Sequence, residues 1–374
     1  MSTARQPPPP ERVLSSAYMH WAKTQSQAPY NLATSGVRPY PLARLGVSLS
    51  DLELSGESFY GYAPLQQAIA AKCRVSPGSV VAANGTSMAN FLALATLISP
   101  GDEVLIEQPT YELLVSAALY LGAKVKRFKR PAETHFKLDP LEVARAITPR
   151  TRLVVVTNMH NPSNAYADDE TLAQIGDVAA HSDARVLVDE VYLDAAFSHA
   201  PQSAFHLGER YITTSSLTKV YGLSGLRCGW ILAAPALAER MWRLNDLFGV
   251  AQPHPSERLS CIALARLPEI AAHSRALLER NRILANSFLQ TRDDLETPPI
   301  TDGMIAFPRL RRGSVEALCA LLREKYETSL VPGRFFEMPE HFRLSIGGDT
   351  EMLSGGLERL GAALNEIKQR PNDQ

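Results

Sequence analysis

Cysteine is scarce in this 374-residue chain. Its four cysteines, Cys73, Cys228, Cys261 and Cys319, are scattered, with no Cys-x-x-Cys pair. That spacing argues against a disulfide framework or a zinc site and fits thiols kept reduced. No apolar run reaches the roughly 18 residues that a membrane helix needs. The first residues hold no apolar signal core, so the expected location is cytoplasmic. An excess of one charge is missing too. Lysine and arginine number 38 against 39 aspartate and glutamate, a net charge of −1, so no global field draws the chain to nucleic acid or anionic lipid. Nor is there an internal repeat. What remains is an ordinary globular composition, 45% hydrophobic and 21% charged, long enough for two packed domains.

Four consecutive prolines at 7–10 predict an extended arm, and Val13, Leu14, Tyr18 and Trp21 recur on one side of a helix expected over 11–27. From residue 80 to 235, apolar strands alternate with helices. Strands are expected at 80–83, 103–107, 124–128, 152–157, 185–188, 211–214 and 229–233. Helices are expected at 65–72, 88–98, 112–121, 138–146 and 168–181. This alternation predicts a mostly parallel sheet covered on both faces. After Pro253 the character changes: a long helical stretch over 257–290, broken near Pro268, then short strands, a helix over 314–325, a strand over 341–346 and a helix over 350–369. That half reads as a smaller α+β unit.

The most informative stretch runs from Ser215 to Trp230. One lysine, Lys219, sits among hydroxyls and glycines, with Arg227 eight positions later. A lysine beside a second cation is harder to charge, and its free amine can serve as a nucleophile. Asn84-Gly85-Thr86-Ser87 joins a strand to a helix, an arrangement that binds phosphate through free N–H groups and the helix dipole, or that simply caps the helix. Gly85, Thr86, Tyr111, Asn161, Asp189, Tyr192, Ser216 and Lys219 all fall just after predicted strands, the edge where such sheets bind ligands.

Taken in order, Asn161-Pro162, Asp189-Glu190-x-Tyr192 and Ser216-x-x-Lys219-x-x-Gly222-Leu223-x-Gly225-x-Arg227 resemble the class I/II aminotransferases, pyridoxal-phosphate enzymes of fold type I. The resemblance covers the chain from about Asn31 to the last helix. It implies an α/β fold with a mostly parallel central sheet in a large domain and a smaller α+β domain. The implied division is an arm and helix at 1–30, the start of the small domain and crossover at 31–50, the large cofactor-binding domain at 51–252 and the small domain at 253–374. It implies that Lys219 holds pyridoxal 5′-phosphate as a Schiff base and moves the substrate's proton, and that Asp189 pairs with the ring nitrogen. Asn161 and Tyr192 would bond the phenolic oxygen, and Tyr111 would stack on the ring. Gly85, Thr86, Ser87, Ser216 and Arg227 would hold the phosphate. Tyr60 would reach the phosphate of a neighbouring subunit, which makes the expected assembly a homodimer with shared active sites. Arg343 would grip the substrate α-carboxylate, helped by Ser35 or Gly36 and by Asn161.

Two stretches depart from the family pattern. Asn161-Pro162-Ser163-Asn164 stands where relatives have Asn-Pro-Thr-Gly, so Asn164 must accept a backbone angle natural to glycine. Ala33-Thr34-Ser35-Gly36-Val37-Arg38 lacks the usual Gly-x-Pro-Asp pattern on the substrate side. The leading expectation is an aminotransferase acting on an amino acid and a 2-oxo acid. A β-lyase, a decarboxylase or a cyclising enzyme on the same scaffold is the alternative, and a non-catalytic cofactor-binding regulator a remote one.

Overall fold

A computed structural model describes residues 13–369; the proline arm expected at 7–10 and the first residues of the helix expected over 11–27 lie outside that range. Seven strands form the central sheet. In spatial order they are Val80–Asn84, Cys228–Leu232, Tyr211–Ser216, Arg185–Asp189, Thr151–Thr157, Glu103–Gln108 and Lys124–Lys129. All neighbouring pairs are parallel except those made by Cys228–Leu232, which runs antiparallel to both its neighbours. Period-two alternation splits the apolar side chains between two cores. Leu153, Val155 and Leu187 enter the larger cluster, whereas Val154, Val156, Val186 and Val188 enter a second one on the other face. The fold is the expected α/β sheet buried on both sides.

Several element boundaries move, each for a local reason. The first described helix is only Ala17–Thr24, started by Ser16, whose hydroxyl accepts from the Met19 N–H at 3.0 Å. Leu14, expected on its apolar face, is 81% exposed, so the buried stripe begins at Tyr18 and Trp21. The helix expected over 88–98 is Gly85–Leu97. Gly85 adopts φ +76°, which lets the strand turn directly into the helix and puts Thr86 and Ser87 in its first turn. The long stretch after Pro253 forms two helices, His254–Ala265 and Leu267–Gln290. They part at Arg266, because Pro268 cannot extend the first but fits the opening turn of the second.

In the carboxy-terminal part a three-stranded antiparallel sheet places Phe342–Ser345 between Ile305–Ala306 and Val331–Pro332. Residues 30–37 join it to the central sheet. Tyr30–Asn31 pairs with Thr328–Ser329, Leu32 O accepts from Ser345 N at 2.8 Å, and Val37 N donates to Lys219 O at 2.9 Å. One strap of chain thus runs from the strand carrying Arg343 to the loop carrying Lys219.

Beneath the sheet's carboxyl edge lies a buried ion pair, Arg130 and Glu107, 2.6 Å apart with both side chains fully enclosed. Glu107 Oε1 also accepts from Thr157 N at 2.8 Å and Thr157 Oγ1 at 2.6 Å, and Arg130 Nε donates to Phe136 O at 2.7 Å. Replacing one partner leaves the other charge buried and uncompensated. Arg130→Leu is therefore expected to destabilise the fold by roughly 3–5 kcal/mol. A melting temperature equal to wild type would show that the pair carries no such load.

Candidate active site

The sheet's carboxyl edge opens onto a cavity of about 330 Å³. Of the residues singled out in the sequence, Ser35, Thr86, Ser87, Tyr111, Asn161, Asp189, Tyr192, Ser216, Lys219 and Arg227 line it. They come from separate strand ends, loops and helix starts brought together by the strand order, with Ser35 carried in by the strap at 30–37.

Asp189 ends the strand Arg185–Asp189 and is 4% exposed. Its Oδ2 accepts from Asn90 Nδ2 at 2.7 Å and its Oδ1 from Val191 N at 3.0 Å. That carboxylate only accepts, so it fixes which way the Asn90 amide points and leaves Asn90 Oδ1 to accept from Thr214 Oγ1 at 2.5 Å. Burial raises the Asp189 pKa to about 6, against the lowering effect of those hydrogen bonds and of Lys219. The adjacent Glu190 faces away, bonded to Ser203 Oγ and Ala204 N at 2.7 Å each. Alternation thus leaves a single acid of the tandem pair on the cavity wall.

Lys219 follows the strand Tyr211–Ser216, and its Nζ donates to Ser35 Oγ at 2.9 Å. Its pKa falls to about 8, first through burial and then through the charges of Arg343 and Arg227. A free amine is therefore present at far lower pH than for an exposed lysine. Tyr192 is 2% exposed, and burial raises its hydroxyl pKa to about 12, so it is a neutral donor. Tyr111 is a fully protonated phenol for the same reason.

On the cavity the buried hydroxyls Thr86 Oγ1 and Thr218 Oγ1 have no partner among the described residues. Neither Thr86 nor Ser87 caps its helix through a side chain, so the capping alternative fails. Arg227 lies beside them, its Nη2 donating to Asn84 O at 3.2 Å. A Cβ on Gly85 would sit 2.2 Å from that nitrogen, but the guanidinium end can move; the φ of +76° is what calls for glycine there. Unpaired donors, a guanidinium and a helix start converge as a phosphate requires. With an amine and a buried carboxylate on the same wall, the donor set fits pyridoxal phosphate.

The remaining candidates sit around the cavity rather than on it. Gly36 backs the Lys219 main chain, where a Cβ would approach Lys219 O at 3.4 Å. Arg343 is 1% exposed and donates through Nη1 to Asn161 Oδ1 at 2.9 Å. Tyr60 is not brought to this cavity: its ring is on the surface, with Oη donating to Asp246 at 3.2 Å and the Arg243 guanidinium 5.3 Å from its centroid. Asn164 does take the left-handed angle, φ +70°, and its Nδ2 bonds Asp302 O. Sequence reading missed Asn90, Thr157, Thr218 and Tyr18. Asn90 offered a signal, as the one amide in a helix whose other polar residues are the hydroxyls Thr86, Ser87 and Thr96; Tyr18 offered none, being one more aromatic on an apolar stripe.

Residues 54–360 match the family described as aminotransferase class I and II. The chain is 28% identical over 352 residues to capreomycidine synthase of Streptomyces vinaceus, covering 90% of each. It is 28% identical over 350 residues to the arginine–pyruvate transaminase of Pseudomonas aeruginosa, covering 88% of this chain and 87% of that one. A solved pyridoxal-phosphate-dependent aminotransferase from Streptococcus suis superposes with a TM-score of 0.88 at 25% identity, over 94% of this chain and 98% of its own. A cavity built for a phosphate, an aromatic ring and an aldehyde, inside this fold and this sequence family, has one reading: the chain belongs to the class I and II aminotransferases and is a pyridoxal-phosphate-dependent enzyme of fold type I.

Proposed function

We propose that the cavity exchanges an amino group between an amino acid and a 2-oxo acid, with Lys219 as the cofactor-binding lysine. The observation that carries the assignment is the convergence of Lys219, Asp189, Tyr111, Asn161, Tyr192 and the hydroxyl–Arg227 cradle on one wall. Bound pyridoxal phosphate supplies an aldehyde and a ring that withdraws electrons from the substrate's Cα. The protein's residues then have separable tasks. Asn161 meets the α-carboxylate, and Arg343, buried beside the cavity and bonded to Asn161, supplies the positive charge that holds it. Lys219, once its amine is free, takes the proton from the substrate Cα and returns it elsewhere. Asp189 keeps a positive charge stable at the far end of the ring, and a cation placed there favours its ionised form. Thr86, Ser87, Thr218, Ser216 and Arg227 anchor the phosphate, and Tyr111 packs against the ring.

Toward the amino-terminal helix the described lining is neutral, with Met19, Trp21, Ala22, Gln27 and Thr34, which supports an uncharged substrate side chain. We further propose that a large unit at 51–252 and a small one at 253–374 flank the cavity. The active form is a homodimer in which Tyr60 serves the neighbouring subunit's phosphate, and it works in the cytoplasm. No helix among the described residues is long and apolar enough to cross a membrane. Likeness to capreomycidine synthase, a relative not named as a transaminase, favours a second reading, a reaction other than transamination on the same machinery. Amino acid added without any 2-oxo acid separates them: a single turnover of the bound cofactor supports transamination, and steady product release supports the second reading.

Lys219→Ala is expected to abolish turnover and the covalent capture of cofactor by borohydride; label recovered on another lysine would refute the assignment. Asp189→Asn is expected to keep cofactor but lose roughly a hundredfold or more in rate, the scale of a lost electrostatic contact to the reacting system. A rate within experimental error of wild type would remove Asp189 from that role. Because the Lys219 pKa is lowered to about 8, its reactive neutral form grows as pH rises toward that value. Capture of added pyridoxal phosphate by cofactor-free enzyme should therefore accelerate with pH and level off above about 8, whereas a rate still climbing near 10 would mark an ordinary lysine.

A further inference from the structure

Arg343 is not among the residues that line the cavity, but its guanidinium bonds two that are, Tyr18 and Asn161. Arg343 Nη2 donates to Tyr18 Oη at 2.9 Å and also lies 3.4 Å from Ala33 O, while Nη1 reaches Asn161. Tyr18 and Asn161 both line the cavity. The Tyr18 hydroxyl thus accepts from a cation, and no bond in which it donates is formed within the described residues. Accepting from a guanidinium polarises an O–H and makes it a better donor to the next acceptor. We propose that Tyr18 is a substrate-positioning residue whose hydroxyl donates to the α-carboxylate in concert with Arg343. The proposal rests on the amino-acid reading of the same site.

Tyr18 is placed for this by contacts on every side. The carboxylate of Glu112 accepts from Ser16 Oγ at 2.9 Å, Ala17 N at 3.1 Å and Tyr18 N at 2.6 Å. It satisfies N–H groups that the start of a helix leaves free and puts negative charge at the positive end of the dipole. Glu112 directly follows Tyr111, whose ring meets Tyr18 edge-on at 5.7 Å and whose hydroxyl points to Met19 Sδ at 3.7 Å. Phe335 closes the opposite side, also edge-on at 5.7 Å. The ring expected against the cofactor and the hydroxyl offered to the carboxylate are therefore fixed against each other. Tyrosine carries this out at low entropic cost, having few torsions to immobilise.

Tyr18→Phe removes the hydroxyl and keeps the ring packing. The expected result is a rise of roughly ten- to a hundredfold in KM for the amino donor, the size of one hydrogen bond to a charged group, with kcat little changed. An amine matching the donor but lacking its α-carboxylate should perturb the bound cofactor's absorbance with equal affinity in wild type and variant. Glu112→Gln should raise the same KM, and combining it with Tyr18→Phe should add less than the sum of the two. An unchanged KM in Tyr18→Phe, or equal loss of affinity for the carboxylate-free amine, overturns the proposal. Failure of the amino-acid reading would look different, since wild-type enzyme would then transaminate no amino acid at all.

Discussion

A lysine amine and an aspartate carboxyl, both taken out of water and each biased toward its neutral form, set the terms for everything around them. Burial lowers the pKa of Lys219 and raises that of Asp189, and their mutual attraction only partly opposes this. The protein tolerates both because each has company: Ser35 for the amine, Asn90 and the Val191 N–H for the acid. Neither group is locked into an ion pair that would spend its charge. A fraction of the amine stays free as a nucleophile, and the acid, with its pKa near 6, is mostly charged at neutral pH and becomes more firmly so when a cation arrives beside it.

Holding such groups requires a rigid floor, and the polar network beneath the sheet edge supplies one. Arg130 and Glu107 fix Thr157, and the Thr157 hydroxyl in turn accepts from Asn161 N at 3.0 Å. Asn161 then accepts from Arg343, which belongs to the other part of the chain. A chain of hydrogen bonds thus runs from a fully buried ion pair to the residue expected to meet substrate. Two buried donors of this network, Arg130 Nη2 and Arg343 Nε, have no partner among the described residues. Buried polar networks of this kind add definition more than stability, because each unpaired member is costly.

The sheet and most of the site were legible in the sequence because their physics is local. Apolar runs such as 152–157 announce a strand buried on both faces, and the glycine and hydroxyl residues after strands announce an edge where backbone must approach a ligand. Even the irregular angle at Asn164 followed from its place in a glycine position. Residues that depend on distant pairing were not legible. Asn90 matters because it bridges Asp189 to Thr214, partners 99 and 124 positions away. Tyr18 matters through Arg343, 325 positions away, and nothing in its neighbourhood distinguishes it from a core aromatic. The early helix start at Gly85 escaped notice for another reason: a glycine there reads equally as a loop or as a turn into the helix.

The two departures from the family pattern bear unequally on substrate choice. Asn164 is absorbed where it stands. Its side chain bonds Asp302 O and fills the space beside Gly303, where a Cβ would lie 1.9 Å from Asn164 Oδ1. Glycine has in effect moved to the facing segment, and Asn161 keeps its bonds to Thr157 and Arg343. The stretch 33–36 is different, because Ala33, Thr34 and Ser35 lie directly on the cavity, opposite Met19, Trp21 and Ala22 of the first helix. A change absorbed by a neighbouring glycine leaves the cavity's shape alone, whereas changed residues on its wall alter what can enter. If the cavity takes an amino acid as proposed, residues 33–35 and the helix Ala17–Thr24 are the walls on which a change would alter side-chain selectivity.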